Sequence, residues 1–206
     1  MRFKQFISEQ DLDEFDLEKF LDECYPILKQ YKRAGAFLYK GHPSLWKWAK
    51  IEFSQRSKPR DTPLQFHNAM NFNFDKVYGI NPRNWQFGCF QPGQASMYGN
   101  VGALFPIDND FDFVYSPKVH DATELIEQLT SGVYDFDDIK NSEKKLELSN
   151  NIKKNFVNEY GYVFTQDITQ PLINKIDCEV MFKCEYYYLI SDGKILNAIR
   201  EKMRTL

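Results

Sequence analysis

This chain has little of what most catalytic signatures are built from. Its 206 residues include only three histidines, His42, His67 and His120, far apart and outside any His-Glu-x-x-His, so a zinc site has little support and each reads as a loop or surface residue. Four cysteines, Cys24, Cys89, Cys178 and Cys184, form no Cys-x-x-Cys pair; buried free thiols in a reducing compartment explain them better than a disulfide frame. Cys89 has no activating neighbour, which makes a Cys/His nucleophile the weakest enzymatic reading. Neither a Gly-x-Gly-x-x-Gly nor a P-loop occurs, so a Rossmann or kinase-like nucleotide site is not indicated. The longest apolar runs fall far short of the ~20 residues that span a bilayer, and the N-terminus lacks a secretory h-region. No membrane partner is expected, and the expected location is a cytoplasm. Formal charge is only −3, so no global basic field advertises nucleic acid.

What the chain does have is grease: 43% apolar and 16% aromatic residues, enough to bury a sizeable core in a single domain. Leu12, Phe15, Phe20, Leu21, Cys24, Leu28 and Tyr31 recur at helical intervals over residues 11 to 31, with Pro26 set to kink or divide that helix. An apolar run from Ala34 to Tyr39 reads as a buried strand ending at Lys40-Gly41. A basic, proline-punctuated loop follows, carrying Arg56, Lys58 and Arg60; its Thr62-Pro63 step suits the start of a helix over residues 63 to 78, ended by Gly79. Aromatic, Val and Gly residues from Trp85 to Tyr115 suggest short strands around a tight Gln91-Pro92-Gly93 turn. Asp121 has the chemistry of an N-cap for a helix to about residue 130. Residues 135 to 154, acidic and Lys-rich, read as a solvated insertion or surface helix, and Ile195 to Met203 as a terminal helix. Strands and helices without regular alternation argue for an α+β fold with a mixed, largely antiparallel sheet and flanking helices.

The most informative stretch runs from Asp177 to Tyr188. Cys178, Val180, Phe182, Cys184, Tyr186 and Tyr188 share one face of a strand, the core face. Asp177 and Glu179 begin the opposite face, about 7 Å apart in an extended chain, and both can look into one cleft. The plain alternative is an amphipathic strand with a solvated outer face. Arg83 is a candidate for phosphate or for a structural salt bridge, and Asp112 and Asp121 read better as turn and cap residues than as catalysts.

Three segments together resemble the ADP-ribosyltransferases. Phe37-Leu38-Tyr39-Lys40-Gly41 looks like that family's first strand, which typically ends in Tyr-Arg-Gly or Trp-His-Gly. Phe87 to Gly99 looks like its second block, a strand followed by a short helix with an alanine and an aromatic. Asp177-x-Glu179 is similar to its Glu-x-Glu or Gln-x-Glu. The resemblance covers residues 34 to 190 in the family's order. It implies a split sheet whose halves enclose NAD, with Glu179 as the key carboxylate and Asp177 orienting the acceptor. It also implies Tyr98, and secondarily Tyr39, against nicotinamide or adenine, with core packing the alternative for both, and Lys40 and Gly41 at the cofactor. Arg56, Lys58 and Arg60, just after the first motif, read either as a grip for its diphosphate or for a nucleic-acid acceptor, or as a solvated loop. Lys40 departs from the pattern, because an ammonium lacks the planar fork of guanidinium. That leaves three readings open: a working variant, a retuned acceptor preference, or a protein that binds the nucleotide without cleaving it. The second block also lacks the Ser-Thr-Ser of toxin-like members, having Gly88-Cys89-Phe90.

Residues 1–10 add a further resemblance. Phe3, Phe6 and Ile7 fall on one helical face and lead into Ile7-x-Glu9, similar to the capsid-targeting leaders of proteins packaged in the heads of large tailed bacteriophages and clipped after such a glutamate. An ordinary amphipathic N-terminus is the alternative. With the leader, the expectation is a protein that travels in the virion head and acts in the host bacterial cytoplasm on a host protein or nucleic acid. The rival from another class is a non-catalytic internal head or host-interaction protein that keeps the fold for binding. A nucleic-acid-binding module is the least favoured class.

Overall fold

The computed structural model describes residues 15–44, 47–56, 62–129 and 156–206. The expected leader, Lys58, Arg60 and the acidic stretch at 135–154 lie outside these residues. Asp16 opens α1 (Leu17–Glu23) by accepting a hydrogen bond from the Lys19 amide at 3.0 Å. The expected break falls at Cys24, and α2 (Tyr25–Ala34) carries Pro26 in its first turn, where the missing N–H leaves no hydrogen bond unmade. Because α2 runs to Ala34 and Gly35 ends it, the next strand, β1 (Leu38–His42), starts later than the apolar run suggested. Trp48–Glu52 forms β2, which the sequence reading passed over although Ala49 and Ile51 are buried and Lys50 and Glu52 exposed in strict alternation.

Helix α3 (Leu64–Tyr78) ends at Gly79 as expected. Its start differs: Pro63 is the N-cap and makes no side-chain bond, while the hydroxyl of Thr62 turns elsewhere. A 3-10 turn (Pro82–Asn84) leads into β3 (Gln86–Cys89), α4 (Pro92–Ser96), β4 (Asn100–Pro106) and β5 (Asp112–Tyr115). The Gln91-Pro92-Gly93 turn is thus the beginning of a short helix. Asp121 caps α5 (Ala122–Leu129), accepting from the Glu124 amide at 2.8 Å. Then come α6 (Phe156–Glu159), β6 (Val163–Thr165), α7 (Thr169–Ile173), β7 (Glu179–Lys183), β8 (Tyr186–Ile190) and α8 (Gly193–Thr205), the last capped by Asp192.

Eight strands among the described residues form one sheet in the order β2-β8-β4-β1-β3-β7-β5-β6. Every pairing is antiparallel, so the expected α+β class holds and the mixed sheet becomes a wholly antiparallel one. The stretch from 177 to 190 is two strands. β7 pairs with β3 and β5, whereas β8 pairs with β2 and β4, so the chain leaves one half of the sheet at Cys184-Glu185 and enters the other. The halves meet at β1 and β3 through the single pair Tyr39–Cys89, while β1 pairs β4 along its whole length.

Side-chain alternation then sorts two cores. Phe113, Tyr115, Val180 and Phe182 join the main core under α1, α2, α7 and α8. Val114 and Met181, on the opposite face, join a second cluster under α3, α5 and α6. The outer face of β7, open to solvent in one reading of the sequence, is therefore covered at Met181 and exposed at Lys183. In the main core Phe105 meets Phe20, Tyr31 and Phe37 edge-on at 5.0, 5.5 and 5.2 Å, arrangements worth about 0.5–1.5 kcal/mol each beyond area burial.

All four thiols are buried. Burial pushes Cys89, Cys178 and Cys184 up to about 12 and Cys24 higher still. An unfolded thiol ionises near pH ~8.5, so the stability these groups give is complete below that pH. It is lost as pH climbs from there through the folded values, at about 1.4 kcal/mol per thiol per unit. Lys40, lowered to about 8, acts oppositely, one group against four. Urea unfolding followed from pH 7 to 10 should show falling stability above about pH 8.5, and replacing the four cysteines by alanine should remove most of that slope.

Candidate functional site

Where β1 and β3 part, a cleft of about 330 Å³ opens, near the lower end of the range for small-molecule sites. Lys40 and Gly41 enter it from β1, Gln86 to Cys89 from β3 and Glu179 from the first position of β7. Tyr98 enters from just beyond α4, Arg83 from the 3-10 turn, and Asp121 from the cap of α5.

Two glycines put Tyr98 there. A Cβ on Gly41 would stand 2.3 Å from the Ala95 carbonyl oxygen and 2.8 Å from Tyr98 Cβ, so only glycine lets α4 lie on β1. Gly99 has φ +126, and a Cβ there would come within 2.5 Å of the His42 carbonyl oxygen. The chain thereby turns so that the Tyr98 hydroxyl donates to Glu179 Oε1 at 2.8 Å. Glu179 is fixed by its own amide, which donates to the His120 carbonyl at 2.8 Å; Gln94 Nε2 donates to the same oxygen at 3.0 Å. Burial pushes the Glu179 carboxyl up, the Tyr98 bond and the Arg83 charge pull it back, Asp121 opposes them and Arg56 adds a smaller pull downward. The net effect is a desolvated, hydrogen-bonded carboxyl that titrates above its ordinary range and faces the cleft.

Three cations line the same cleft. Lys40 Nζ donates to the Phe87 carbonyl at 2.9 Å and to Gln86 Oε1 at 3.2 Å; burial, aided by Arg56, lowers its pKa to about 8. Much of its donor capacity is spent on β3. The guanidinium groups of Arg56 and Arg83 both lie on the Phe87 ring, 4.6 and 4.8 Å from its centroid. A carboxylate and several cations in one partly dehydrated cleft suit a ligand that carries an anionic group and develops positive charge elsewhere.

Of the residues singled out in the sequence, Glu179, Tyr98, Lys40, Gly41 and Arg56 are brought together here. Tyr39 is not: it alternates with Lys40 on β1 and packs against the main core, where burial pushes its hydroxyl up. Asp177 is not either. The strand begins at Glu179, so the two-residue spacing does not run along extended backbone, and exposed Asp177 borders a neighbouring depression with Lys175, His120 and Met97. Arg60 lies outside the described residues. Arg83, read as a phosphate candidate or a structural salt bridge, lines the cleft and forms no ion pair among the described residues, and Asp121 lines it besides capping α5; the histidines are less exposed than expected, with His42 and His67 buried and only His120 exposed. Cys89 lines the cleft, but its raised pKa keeps the thiol protonated. Among the described residues no group of three His, Cys, Asp or Glu side chains stands ready for a metal, and no helix is long and apolar enough to cross a membrane.

No protein-family model, curated protein or solved structure matches the chain.

Two outcomes are expected from this geometry. Tyr98→Phe removes a donor that favours the ionised carboxylate, so the Glu179 carboxyl should titrate at higher pH than in the native protein, read by carboxyl carbon NMR; an unmoved titration would place the Tyr98 bond elsewhere in solution. Gly41→Ala should cost roughly 1–3 kcal/mol of stability as α4 is forced off β1, measured by urea unfolding.

Proposed function

We propose that the cleft takes NAD and that the protein is an ADP-ribosyltransferase-like enzyme, transferring ADP-ribose to a host macromolecule. The observation that carries this reading is the convergence of three segments distant in sequence, Lys40-Gly41, Tyr98 and Glu179, on one open cleft, with Tyr98 and Glu179 joined at 2.8 Å. These are the segments that resembled the family, and a cleft at the seam of a divided sheet supports that reading.

In the proposed reaction the bond between nicotinamide nitrogen and ribose C1′ breaks, and the pyridine leaves with the bonding pair. Positive charge builds on the ribose, as in other oxocarbenium-like transition states. Glu179, in its ionised form, accepts hydrogen bonds from ribose hydroxyls and stabilises that charge where it develops. An acceptor nucleophile then bonds to C1′ and gives up its proton. Tyr98 orients Glu179 and offers a flat ring beside it. Asp177 borders the neighbouring depression, not the cleft, and takes no part in the step at C1′.

The segment at Phe3, Phe6, Ile7 and Glu9 supports carriage of the enzyme by a tailed phage, and hence action in the bacterial cytoplasm. One observation favours the non-catalytic alternative: Lys40, where the family has arginine or histidine, spends its ammonium on the Phe87 carbonyl and Gln86.

Incubation with labelled NAD and bacterial lysate separates the two. The native protein should release nicotinamide and label a macromolecule, and Glu179→Gln, which removes charge and keeps shape, should slow both by about 10²–10³-fold at unchanged melting temperature. Equal rates in the two proteins would remove Glu179 from the mechanism. Tight retention of intact NAD without release would favour the binding role.

A further inference from the structure

Arg83 is 5% exposed and forms no ion pair among the described residues; the Glu179 carboxyl in the same cleft acts on it only through space. Nη2 donates to the Thr62 hydroxyl at 3.1 Å, the guanidinium lies on Phe87, and Nε is buried with no hydrogen-bond partner. No carboxylate among the described residues forms an ion pair with it. A guanidinium has five N–H donors, and burying one without an anion is costly. Arg56 adds a second guanidinium on the same ring, which raises that cost further.

The groups that hold Arg83 are all uncharged. Asn71 Oδ1 accepts from the Arg83 amide at 2.9 Å, and Asn71 Nδ2 donates to Asn84 Oδ1 at 3.0 Å. The same Asn84 oxygen lies 2.8 Å from His67 Nε2, which places the imidazole proton on Nε2; Nδ1 is buried without a partner, and the ring is neutral. His67 and Asn71 stand one turn apart on α3, so both reach the turn that carries Arg83. Of the groups that hold Arg83, Thr62 is the one whose side chain bonds the guanidinium, and an acid there would have satisfied the arginine internally. The fold instead delivers it to the cleft without a bonded carboxylate and with Nε unpartnered.

We infer that Arg83, with Arg56 beside it, receives a phosphate or diphosphate group of the ligand, and that His67, Asn71, Asn84 and Thr62 form a neutral clamp that presents it. The inference rests on the proposed function only in naming a dinucleotide as the bearer of that group. It also gives Lys40 a different part from the one its place in the sequence suggested: Lys40 fastens β1 to β3, and Arg83 meets the anion.

The test is calorimetric titration with inorganic pyrophosphate, which needs no catalysis. The native protein should bind it, and Arg83→Met, with its circular dichroism unchanged, should bind at least tenfold more weakly. Thr62→Asp supplies the missing carboxylate from within, so it should weaken pyrophosphate at least tenfold while raising the melting temperature, a combination that simple structural damage cannot produce. His67→Ala should weaken binding several-fold, and His67→Gln, which keeps an N–H for Asn84, should restore it. If Arg83→Met fails to fold, Thr62→Asp decides. Pyrophosphate bound by Thr62→Asp or by folded Arg83→Met within twofold of native, or not bound by the native protein at millimolar concentration, overturns the inference. Pyrophosphate held through Arg83 by a protein that does not cleave NAD leaves the inference standing and removes the transferase. NAD cleavage by Arg83→Met at native KM does the reverse.

Discussion

The cleft depends on how little β1 and β3 share. Eight strands lie in one sheet, yet its halves are joined by the single pair Tyr39–Cys89. Backbone hydrogen bonding ordinarily closes a sheet; here the strands diverge, and α4 lies on β1 where the paired strand would continue. Gly41 and Gly99 make that possible because neither leaves room for a Cβ. The position of Tyr98, and the bond from its hydroxyl to Glu179, follow from that seating.

Both halves of the sheet must be rigid for such a seam to persist. On one side an aromatic cluster around Phe105 locks β4 to α1 and α2. On the other, β5 and β7 are covered on both faces, Phe113 and Phe182 by the main core and Val114 and Met181 by the second. Interiors packed to this degree resist small displacements, so cleft side chains inherit fixed positions from the strands that bear them.

Electrostatics then distinguishes the cations. Lys40 resolves the cost of its burial by donating to a carbonyl and an amide oxygen and by releasing its proton more readily than a free lysine. Arginine has no such escape, since it stays charged at any pH a protein meets. Arg83 therefore keeps a buried Nε without a partner and no bonded carboxylate, whereas Glu179 already has a donor in Tyr98.

The amino-acid sequence by itself determined what depends on near neighbours along the chain. The break at Cys24, the stop at Gly79, the cap at Asp121, the terminal helix and the buried thiols all follow from capping chemistry, backbone freedom and apolar spacing within a few residues. Glu179 was legible too, through its place on an alternating strand. Only the tertiary structure decided that the strand divides at Cys184, because period-two alternation continues unbroken across a change of partner strand. It alone separated Asp177 from Glu179 and Tyr39 from Lys40, since which face and which half a residue serves is set by pairing across the sheet. And it alone exposed the role of Arg83: whether a buried arginine has a carboxylate partner is a fact about groups brought together from α3, the 3-10 turn and β3, and no local pattern encodes it.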